Sequence, residues 1–470
     1  MNRPKRSLLV LYAANSVQTP TVRDYLDAFR LNSKFEVKFA NAVSGARIDV
    51  PLESFDSIFV HYSVRLCYPG YLSSDFASGL EHFRGPKILS IQDEYENTEE
   101  ARKLIEALQF DVVLTCVRPE DIPKIYPSAR FPNTKFTNVL TGYIPESIER
   151  VVARPLIASR GIDIVYRGKS LPYIWGRLGQ EKARIGKDVR ELAQRSGFSC
   201  DIEVDEKSRI YGSAWFDFLR SGRATLASES GSNVFDFDGT LHSQIAHYMA
   251  EHPTASFDEV EQLFLKGREG RDATMNQISP RVFEAIICGT ALIMFEGSYS
   301  GVLEPHRHYL SLKKDYSNWP EIAGIIRQPE KLQALADEAY RSVVGSGLWS
   351  YATFVSKVDD LFATLLSAKG AQAMTDSSDV VTERVDIAKM PGGPPNCFSH
   401  PIDLVTIENL QRNNGGTRTP SEDHATGIAL KRGEVARLWW RKLVPEWCRR
   451  IVSRRLKNYG RRVLGLPSER

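Results

Sequence analysis

Cysteine is scarce in this chain, and its spacing excludes two common kinds of scaffold. The 470 residues contain six cysteines, and no two of them form a CxxC pair. Disulfide frameworks and structural zinc sites use cysteines at short, regular spacings, so we expect neither. The pattern favours a reducing compartment and predicts a cytoplasmic protein.

Long hydrophobic runs are also missing. No apolar stretch approaches the ~20 residues that cross a bilayer as a helix. The start, MNRPKRSLLVLYAA, superficially resembles a signal peptide, but its apolar run at residues 8–12 is short for one. We predict instead that this run is the first strand of an α/β domain.

Charge of one sign dominates only at the end of the sequence. Residues 428–470 contain thirteen Lys and Arg against three Asp and Glu, a net charge of +10, so the other 427 residues carry −7 of the total +3. Trp439, Trp440, Trp447 and Tyr459 lie among these cations. Because basic and aromatic side chains together favour an anionic membrane surface, we predict basic amphipathic helices that bind one.

Short apolar runs alternate with helical patterns along the first 345 residues. This rhythm predicts an α/β fold of two doubly wound parallel sheets, which bind ligands beyond the carboxyl ends of their strands. The predicted strands of the first sheet are residues 8–13, 35–39, 57–62, 87–91, 112–116 and 135–140. The second set begins with a strand at residues 162–168.

Composition divides the chain into five segments. We predict a Rossmann-like domain at residues 1–150, a second at 160–345 and a helix at 346–368 that crosses back to the first. A disordered linker is predicted at 369–427, where PGGPP, NNGGTRTP and many Ser, Thr and Asp occur. The basic tail at 428–470 follows. The two Rossmann-like domains are expected to face each other across a cleft.

The segment SPRVFEAIICGT at residues 279–290, followed by ALIMF, is the most informative stretch. It predicts a helix that carries Glu284 in its first turns, ends at Gly289 and leads into a buried strand. Free N–H groups at the start of such a helix suit a phosphate. A carboxylate a turn or so further along can accept hydrogen bonds from ribose hydroxyls.

This segment resembles the RxFEAxxCGT stretch of GT-B glycosyltransferases. The similarity extends to IVYRG at residues 164–168, GRLGQEK at 176–182 and HYLSLKKDYSN at 308–318. Within the GT-B enzymes, these segments resemble those of family 4-like bacterial transferases, including the subset that resembles CgeB proteins. The resemblance implies an enzyme that takes a sugar from a nucleotide diphosphate sugar, with retention of configuration and without a metal.

The resemblance also implies that the domain at 160–345 binds the nucleotide sugar, that the domain at 1–150 is the acceptor side, and which residues bind the donor. In that family an Arg and a Lys hold the diphosphate, and a glycine-bracketed loop after the buried strand can offer N–H groups to phosphate or sugar. The implied donor-binding residues are Arg167, Gly168, Arg177, Lys182, Arg281, Gly297, Ser298, Tyr299 and Ser300.

The paired-glutamate motif of the family is altered in this sequence. Glu284 is its second acid, and the position eight residues earlier holds Asn276. Either Glu229, within SESGS, fills the role of the missing acid, or no acid does. Glu284 and Glu229 are therefore the candidate catalytic residues.

Three alternatives stay open. Asp236 and Asp238 lie in VFDFDGTL, which matches the DxDGT signature of haloacid-dehalogenase-like phosphatases, where the first Asp is a nucleophile and the pair holds Mg²⁺. The same residues match the metal-binding DxD of GT-A transferases. A GT-B scaffold that has lost activity is the third, because Asn276 replaces an acid.

The expected partners follow from these patterns. They are a nucleotide-sugar donor, a glycan or lipid-linked acceptor, and an anionic membrane surface reached through residues 428–470. We expect no metal and no cofactor beyond the donor substrate, and no nucleic-acid partner, because the basic tail has no recognition motif. These expectations fit surface polysaccharide or glycoconjugate synthesis at the inner face of a membrane.

Overall fold

Two β-sheets organise the residues that this computed structural model describes, which are 6–43, 45–145, 153–375 and 397–398. In chain order the strands are β1 Ser7–Tyr12, β2 Glu36–Asn41, β3 Ser57–Val60, β4 Lys87–Ser90, β5 Val112–Thr115, β6 Lys135–Asn138, β7 Ile162–Arg167, β8 Cys200–Glu203, β9 Gly222–Ala227, β10 Ser230–Ser232, β11 Met275–Gln277, β12 Ala291–Phe295, β13 Leu310–Leu312 and β14 Cys397–Phe398.

The first sheet has the order β14-β2-β1-β3-β4-β5-β6, and all its pairs are parallel except that of β14 with β2. Each of the six predicted strands is present, with ends that differ by no more than two residues. Strands β3, β4 and β5 are buried along their whole length, and such strands read in sequence as continuous apolar runs.

The second sheet has the order β13-β12-β9-β7-β8 and is parallel throughout. Strand β12, the predicted ALIMF strand, is buried at every position. We call residues 6–145 with the last helix the first half, and residues 153–344 the second half. Two Rossmann-like sheets confirm the predicted α/β fold class. The predicted domain boundaries stay predictions.

Helices cover both faces of each sheet. They are α1 Pro20–Asn32, α2 Ser74–His82, α3 Thr98–Leu108, α4 Ile122–Ile125, α5 Gly176–Arg195, α6 Ser213–Ser221, α7 Thr240–Glu251, α8 Phe257–Val260, α9 Pro280–Ile287, α10 Trp319–Ile326, α11 Pro329–Ala339 and α12 Tyr351–Thr375. Helices α1 and α12 share a hydrophobic core on one face of the first sheet, and α2 and α3 cover the other. None of the described helices is long and apolar enough to span a bilayer.

Residues 233–278 contain more regular structure than the sequence indicates. The sequence predicts an insertion at residues 233–275 that runs as a loop with one helix at 257–265. Helix α7 also forms there, and β11 pairs with β10, which directly precedes the segment, in a two-stranded antiparallel sheet. This segment belongs to the second half, yet Phe235, Ala273 and Met275 pack into the core of the first half. Residues 233–278 therefore join the two halves.

The predicted linker and tail lie largely outside the described residues. Of residues 369–427, the structure describes the end of α12 and the short strand β14. Residues 428–470 are all outside the described part, so the predicted amphipathic helices there stay a prediction.

Candidate functional site

A pocket of about 210 Å³ lies in the second half, where β7 and β9 end. Its lining is cationic, and no Asp or Glu of the described chain contributes to it. The five cations that line it are Arg167, Lys169, Lys182, Arg209 and Arg281. The apolar part of the lining includes Trp215, Leu226 and Val282. We call this the cationic pocket.

Two of the five cations have carboxylate partners. Arg167 Nη1 lies 2.8 Å from Asp201 Oδ1, and its Nε donates to the carbonyl of Ser208 at 3.0 Å. Arg209 pairs with Glu206. Since these contacts join the ends of β7 and β8 to the loop after them, Arg167 and Arg209 help to shape the pocket wall.

The other three cations lack a carboxylate partner among the described residues. Lys169 and Lys182 have neither an ion pair nor a side-chain hydrogen bond there, and Arg281 donates only to the carbonyl of Arg167, at 2.8 Å. Burial, with the charges of Arg281 and Lys169, lowers the pKa of Lys182 to about 8. The charge of Asp93 opposes this fall only in part. Like charges gathered with no carboxylate in direct contact favour the binding of an anion.

Gly168 lets β7 approach α5 closely. A Cβ at Gly168 would lie 2.8 Å from the carbonyl oxygen of Lys182 and 2.7 Å from the ring of Tyr166. The Tyr166 hydroxyl donates to the same Lys182 carbonyl at 2.8 Å. The predicted donor-binding residues Gly168 and Lys182 are therefore neighbours at one wall of the pocket.

Helices α6 and α9 form another wall through stacked side chains. The guanidinium of Arg281 lies 5.0 Å from the ring centre of Trp215, which stacks on Phe218 with centroids 5.7 Å apart. Arg167 covers Phe218 at 4.3 Å. Trp215 was not identified from the sequence. A helix is predicted at about residues 213–219, and the Trp-x-x-Phe spacing on it places Trp215 and Phe218 on one face, which could have indicated the stack.

Glu284 lies behind this stack. Its Oε2 accepts a hydrogen bond from Trp215 Nε1 at 2.6 Å. Burial raises the pKa of Glu284, and the Trp215 bond and the Arg281 charge oppose that rise. Glu284 does not itself line the cationic pocket in the described structure, but both of these neighbours do. Glu284 lies on α9, which is the helix that the SPRVFEAIICGT segment predicts.

Arg177 faces a different part of the molecule. Its guanidinium pairs with Glu261, and its backbone N–H donates to Glu269 Oε1 at 2.7 Å. Five residues along a helix correspond to a rotation of about 140°, so Arg177 and Lys182 lie on different faces of α5. Arg177 is not among the residues that line the cationic pocket.

Glu229 holds the loop that follows β12. Its Oε1 accepts hydrogen bonds from the backbone N–H groups of Ser298 and Tyr299, each at 2.9 Å. Asn276, at the position of the missing acid, donates its amide to both carboxylate oxygens of Glu229 at 3.0 Å. A Cβ at Gly297 would lie 2.8 Å from the Glu229 carboxyl carbon. Asn276 and Glu229 therefore act as one unit.

The loop after β12, residues 296–301, is the predicted glycine-bracketed loop. Tyr299, Ser300 and Gly301 have positive φ angles of 44°, 56° and 71°. Tyr299 is fully buried, and its hydroxyl donates to the carbonyl of Phe295 at 2.6 Å, while Ser298 is exposed. None of the predicted loop residues is among the described lining of the cationic pocket. Glu229, which binds the loop, directly follows the pocket residue Ser228.

The DFDGT motif caps a helix. Asp236 is buried, and its carboxylate accepts the backbone N–H groups of Gly239, Leu241 and His242 at the start of α7. Asp238 accepts the N–H of Thr240 at 3.0 Å. No group of three or more His, Cys, Asp or Glu in the described part of the chain is placed to hold a metal ion.

One carboxylate of the first half was not identified from the sequence. Asp24 on α1 is half-buried and has no hydrogen bond or ion pair with the described residues. Burial, with the charges of Asp27 and Glu284, raises the pKa of Asp24 to about 6. The charge of Glu284 in the second half therefore acts on Asp24 in the first half.

No protein-family model and no curated protein sequence matches the chain. Among solved structures, sucrose-phosphate synthase from Thermosynechococcus elongatus is 11% identical with a TM-score of 0.40, covering 77% of this chain and 100% of its own. The DNA-modifying β-glucosyltransferase is 10% identical with a TM-score of 0.45, covering 77% and 99%. AviGT4, a glycosyltransferase of avilamycin A biosynthesis, is 15% identical with a TM-score of 0.39, covering 78% and 99%.

Proposed function

We propose that this protein is a glycosyltransferase that moves a sugar from a nucleotide diphosphate sugar to an acceptor. The observation that supports this most is the cationic pocket, in which Lys169, Lys182 and Arg281 have no carboxylate partner in the described structure. A diphosphate supplies the missing negative charge. The apolar lining beside it, with the ring of Trp215, suits a nucleobase.

Each residue has a distinct role in this proposal. Lys182 and Arg281 stabilise the charge that develops on the departing diphosphate. Glu284 accepts hydrogen bonds from donor hydroxyls and stays coupled to the pocket through Trp215. Glu229 shapes the loop after β12 instead of contacting the reacting atoms, because its carboxylate is already occupied by Asn276 and the loop.

The finer assignments are also proposals. We propose a family 4-like or CgeB-like transferase that retains anomeric configuration, which NMR of the product anomer tests. Because protein cations can neutralise the diphosphate, we propose that transfer continues in EDTA. The proposed acceptor is a glycan or lipid-linked molecule of polysaccharide or glycoconjugate synthesis at the inner membrane face, which the basic tail reaches from the cytoplasm.

The first test is binding. Thermal-shift measurements with UDP-, GDP-, ADP- and CMP-sugars should find one base that stabilises the protein. Lys182→Met should weaken that nucleotide by about tenfold or more, because it removes one charge-assisted contact to phosphate. Lys187→Met is the matched control, since Lys187 is exposed on the same helix and has no ion pair with the described residues.

Two results would contradict the proposal. Equal weakening in both variants would mean that the cationic pocket does not bind the diphosphate. Stabilisation by Mg²⁺ with a phosphate mimic, and by no nucleotide, would favour the phosphatase reading of Asp236 instead.

A further inference from the structure

The loop after β12 adopts a conformation that needs outside support. Tyr299 and Ser300 have left-handed backbones with φ of 44° and 56°, a region that is sterically unfavourable for a residue with a side chain. Glu229 supports the start of this loop from within the second half. The middle of the loop depends on a second residue, Gln277.

Gln277 contacts the loop through its carbonyl oxygen. Its Oε1 accepts a hydrogen bond from the Ser300 hydroxyl at 2.9 Å. The Ser300 oxygen in turn accepts the backbone N–H of Ile278 at 3.1 Å. These two hydrogen bonds attach the end of strand β11 to Ser300, which is half-buried and has a left-handed backbone.

The other end of the same amide contacts the first half. Gln277 Nε2 donates to the carbonyl of Cys116 at 2.7 Å, directly after strand β5. Gln277 is 2% exposed, so water cannot replace either bond without opening the interface. One buried amide therefore bridges the carboxyl edge of the first sheet and the loop of the second.

Neighbouring contacts make this bridge stiff. The N–H of Thr274 donates to the buried Asp121 at 3.2 Å, and the Thr141 hydroxyl donates to the carbonyl of Ile278 at 3.0 Å. Both bonds cross between the halves on either side of Gln277. Strand β11 and the residues that flank it are thus held to the first half on both sides of Gln277.

We propose that Gln277 is a positioning residue that sets the loop at residues 296–301 against the first half. The structural part stands alone, whereas its effect on transfer rests on the proposed function. The loop is connected to the cationic pocket through Glu229, which adjoins the pocket residue Ser228. Gln277 consequently aligns the second half, which holds the cationic pocket, with the first half, which is the proposed acceptor side.

Hydrogen exchange measured by mass spectrometry tests the structural part without any ligand. Gln277→Met keeps the length of the side chain and loses both bonds, of which the one from Ser300 holds the loop. Exchange of residues 296–301 should therefore rise about tenfold, the effect of losing one buried hydrogen bond. Gln333→Met is the matched control. Gln333 also uses both ends of its amide, with Ile157 at 2.8 Å and Asp337 at 3.0 Å, within the second half alone.

Gln277→Glu supplies a conservative rescue. A buried, protonated carboxyl can donate to the Cys116 carbonyl while accepting from Ser300, but the ionised form cannot donate. In this variant, the protection of residues 296–301 from hydrogen exchange should therefore be close to that of the unmodified protein at low pH, and it should fall as pH rises. Unchanged loop exchange in Gln277→Met, or an equal rise in Gln333→Met, would overturn the proposal.

Turnover tests the second part with whichever nucleotide sugar the binding panel identifies. Gln277→Met should lower kcat about tenfold and leave the donor KM within about twofold, because alignment and not donor affinity is lost. A rise in KM with unchanged kcat would contradict alignment. If no nucleotide binds, the proposed function fails, and the exchange experiment still decides the role of Gln277.

Discussion

Lys182 gives the cationic pocket its pH dependence. Burial and the charges of Arg281 and Lys169 lower its pKa to about 8, so its ammonium begins to lose its proton slightly above neutral pH. Only the charged form attracts phosphate, and a bound anion raises the pKa again. Nucleotide affinity should therefore be constant below pH 7 and fall as pH rises through 8.

Isothermal titration between pH 6.5 and 9.5 measures this dependence. In Lys182→Met the affinity should be lower at pH 7 and should lose most of its slope near pH 8. A slope that persists in the variant would assign the titration to another group.

Glu284 offers a second test at the residue scale. If it accepts donor hydroxyls, Glu284→Ala should weaken nucleotide binding by about 1–3 kcal/mol, the range for hydrogen bonds to charged groups. Glu284→Gln should lose less, because an amide oxygen can still accept from Trp215 Nε1. Donor affinity that is the same in all three proteins would remove Glu284 from the site.

The sequence predicts single residues of the site unevenly. Gly168, Lys182 and Arg281 were named from local motifs, and the structure gathers them at one pocket. Arg177 belongs to the same motif, but its partner Glu261 lies 84 residues further along the chain. Trp215 contributes through tertiary stacking. Pairings of this kind depend on the fold, and no local pattern encodes them.

At the scale of elements, the start of α7 gives a direct stability test. Asp236 is buried and caps three backbone N–H groups, whereas the exposed Asp238 accepts one from Thr240. Asp236→Ala should lower the free energy of unfolding by about 1–3 kcal/mol, because buried donors lose their partner. Asp238→Ala should lower it by about 1 kcal/mol or less, which urea denaturation measures.

The same pair separates two readings of the motif. Asp236→Asn should leave a glycosyltransferase active, since the amide oxygen still caps the helix. Complete loss of activity in a folded Asp236→Asn protein would instead support a phosphatase nucleophile.

The sequence predicts strands best where both faces of the strand are buried. Strands such as β3 and β12 are buried throughout, so they stand out as apolar runs between polar turns. Helix α7 was missed because Leu241 and Ile245 are its only buried residues and no strong apolar stripe marks it. Its start depends on Asp236 and on Gly239, whose φ is 78°.

At the scale of the whole molecule, the two halves are attached by more than the chain that links them. Residues 233–278 of the second half enter the core of the first, while α12 packs beside α1. The sequence predicted two α/β halves from the rhythm of strands and helices. The last helix was expected to cross back to the first half, but the entry of residues 233–278 into the first core was not predicted, because it joins segments far apart in sequence.

The last prediction concerns the basic tail, residues 428–470, which carries thirteen Lys and Arg. Each cation near an anionic bilayer contributes about 1 kcal/mol, so half of them engaged would hold the protein on the membrane. The full chain should therefore float with anionic liposomes at low salt, and with neutral liposomes it should not.

The truncation used for comparison should end after Gly427. A shorter chain that ended at Ala368 would remove Lys369, whose ammonium lies 2.9 Å from Asp111 Oδ1, and also β14 on the edge of the first sheet. The protein ending at Gly427 should stay with the soluble fraction and keep the nucleotide affinity of the full chain. Equal flotation of both proteins would reject the tail as an anchor and would leave the cationic pocket unaffected.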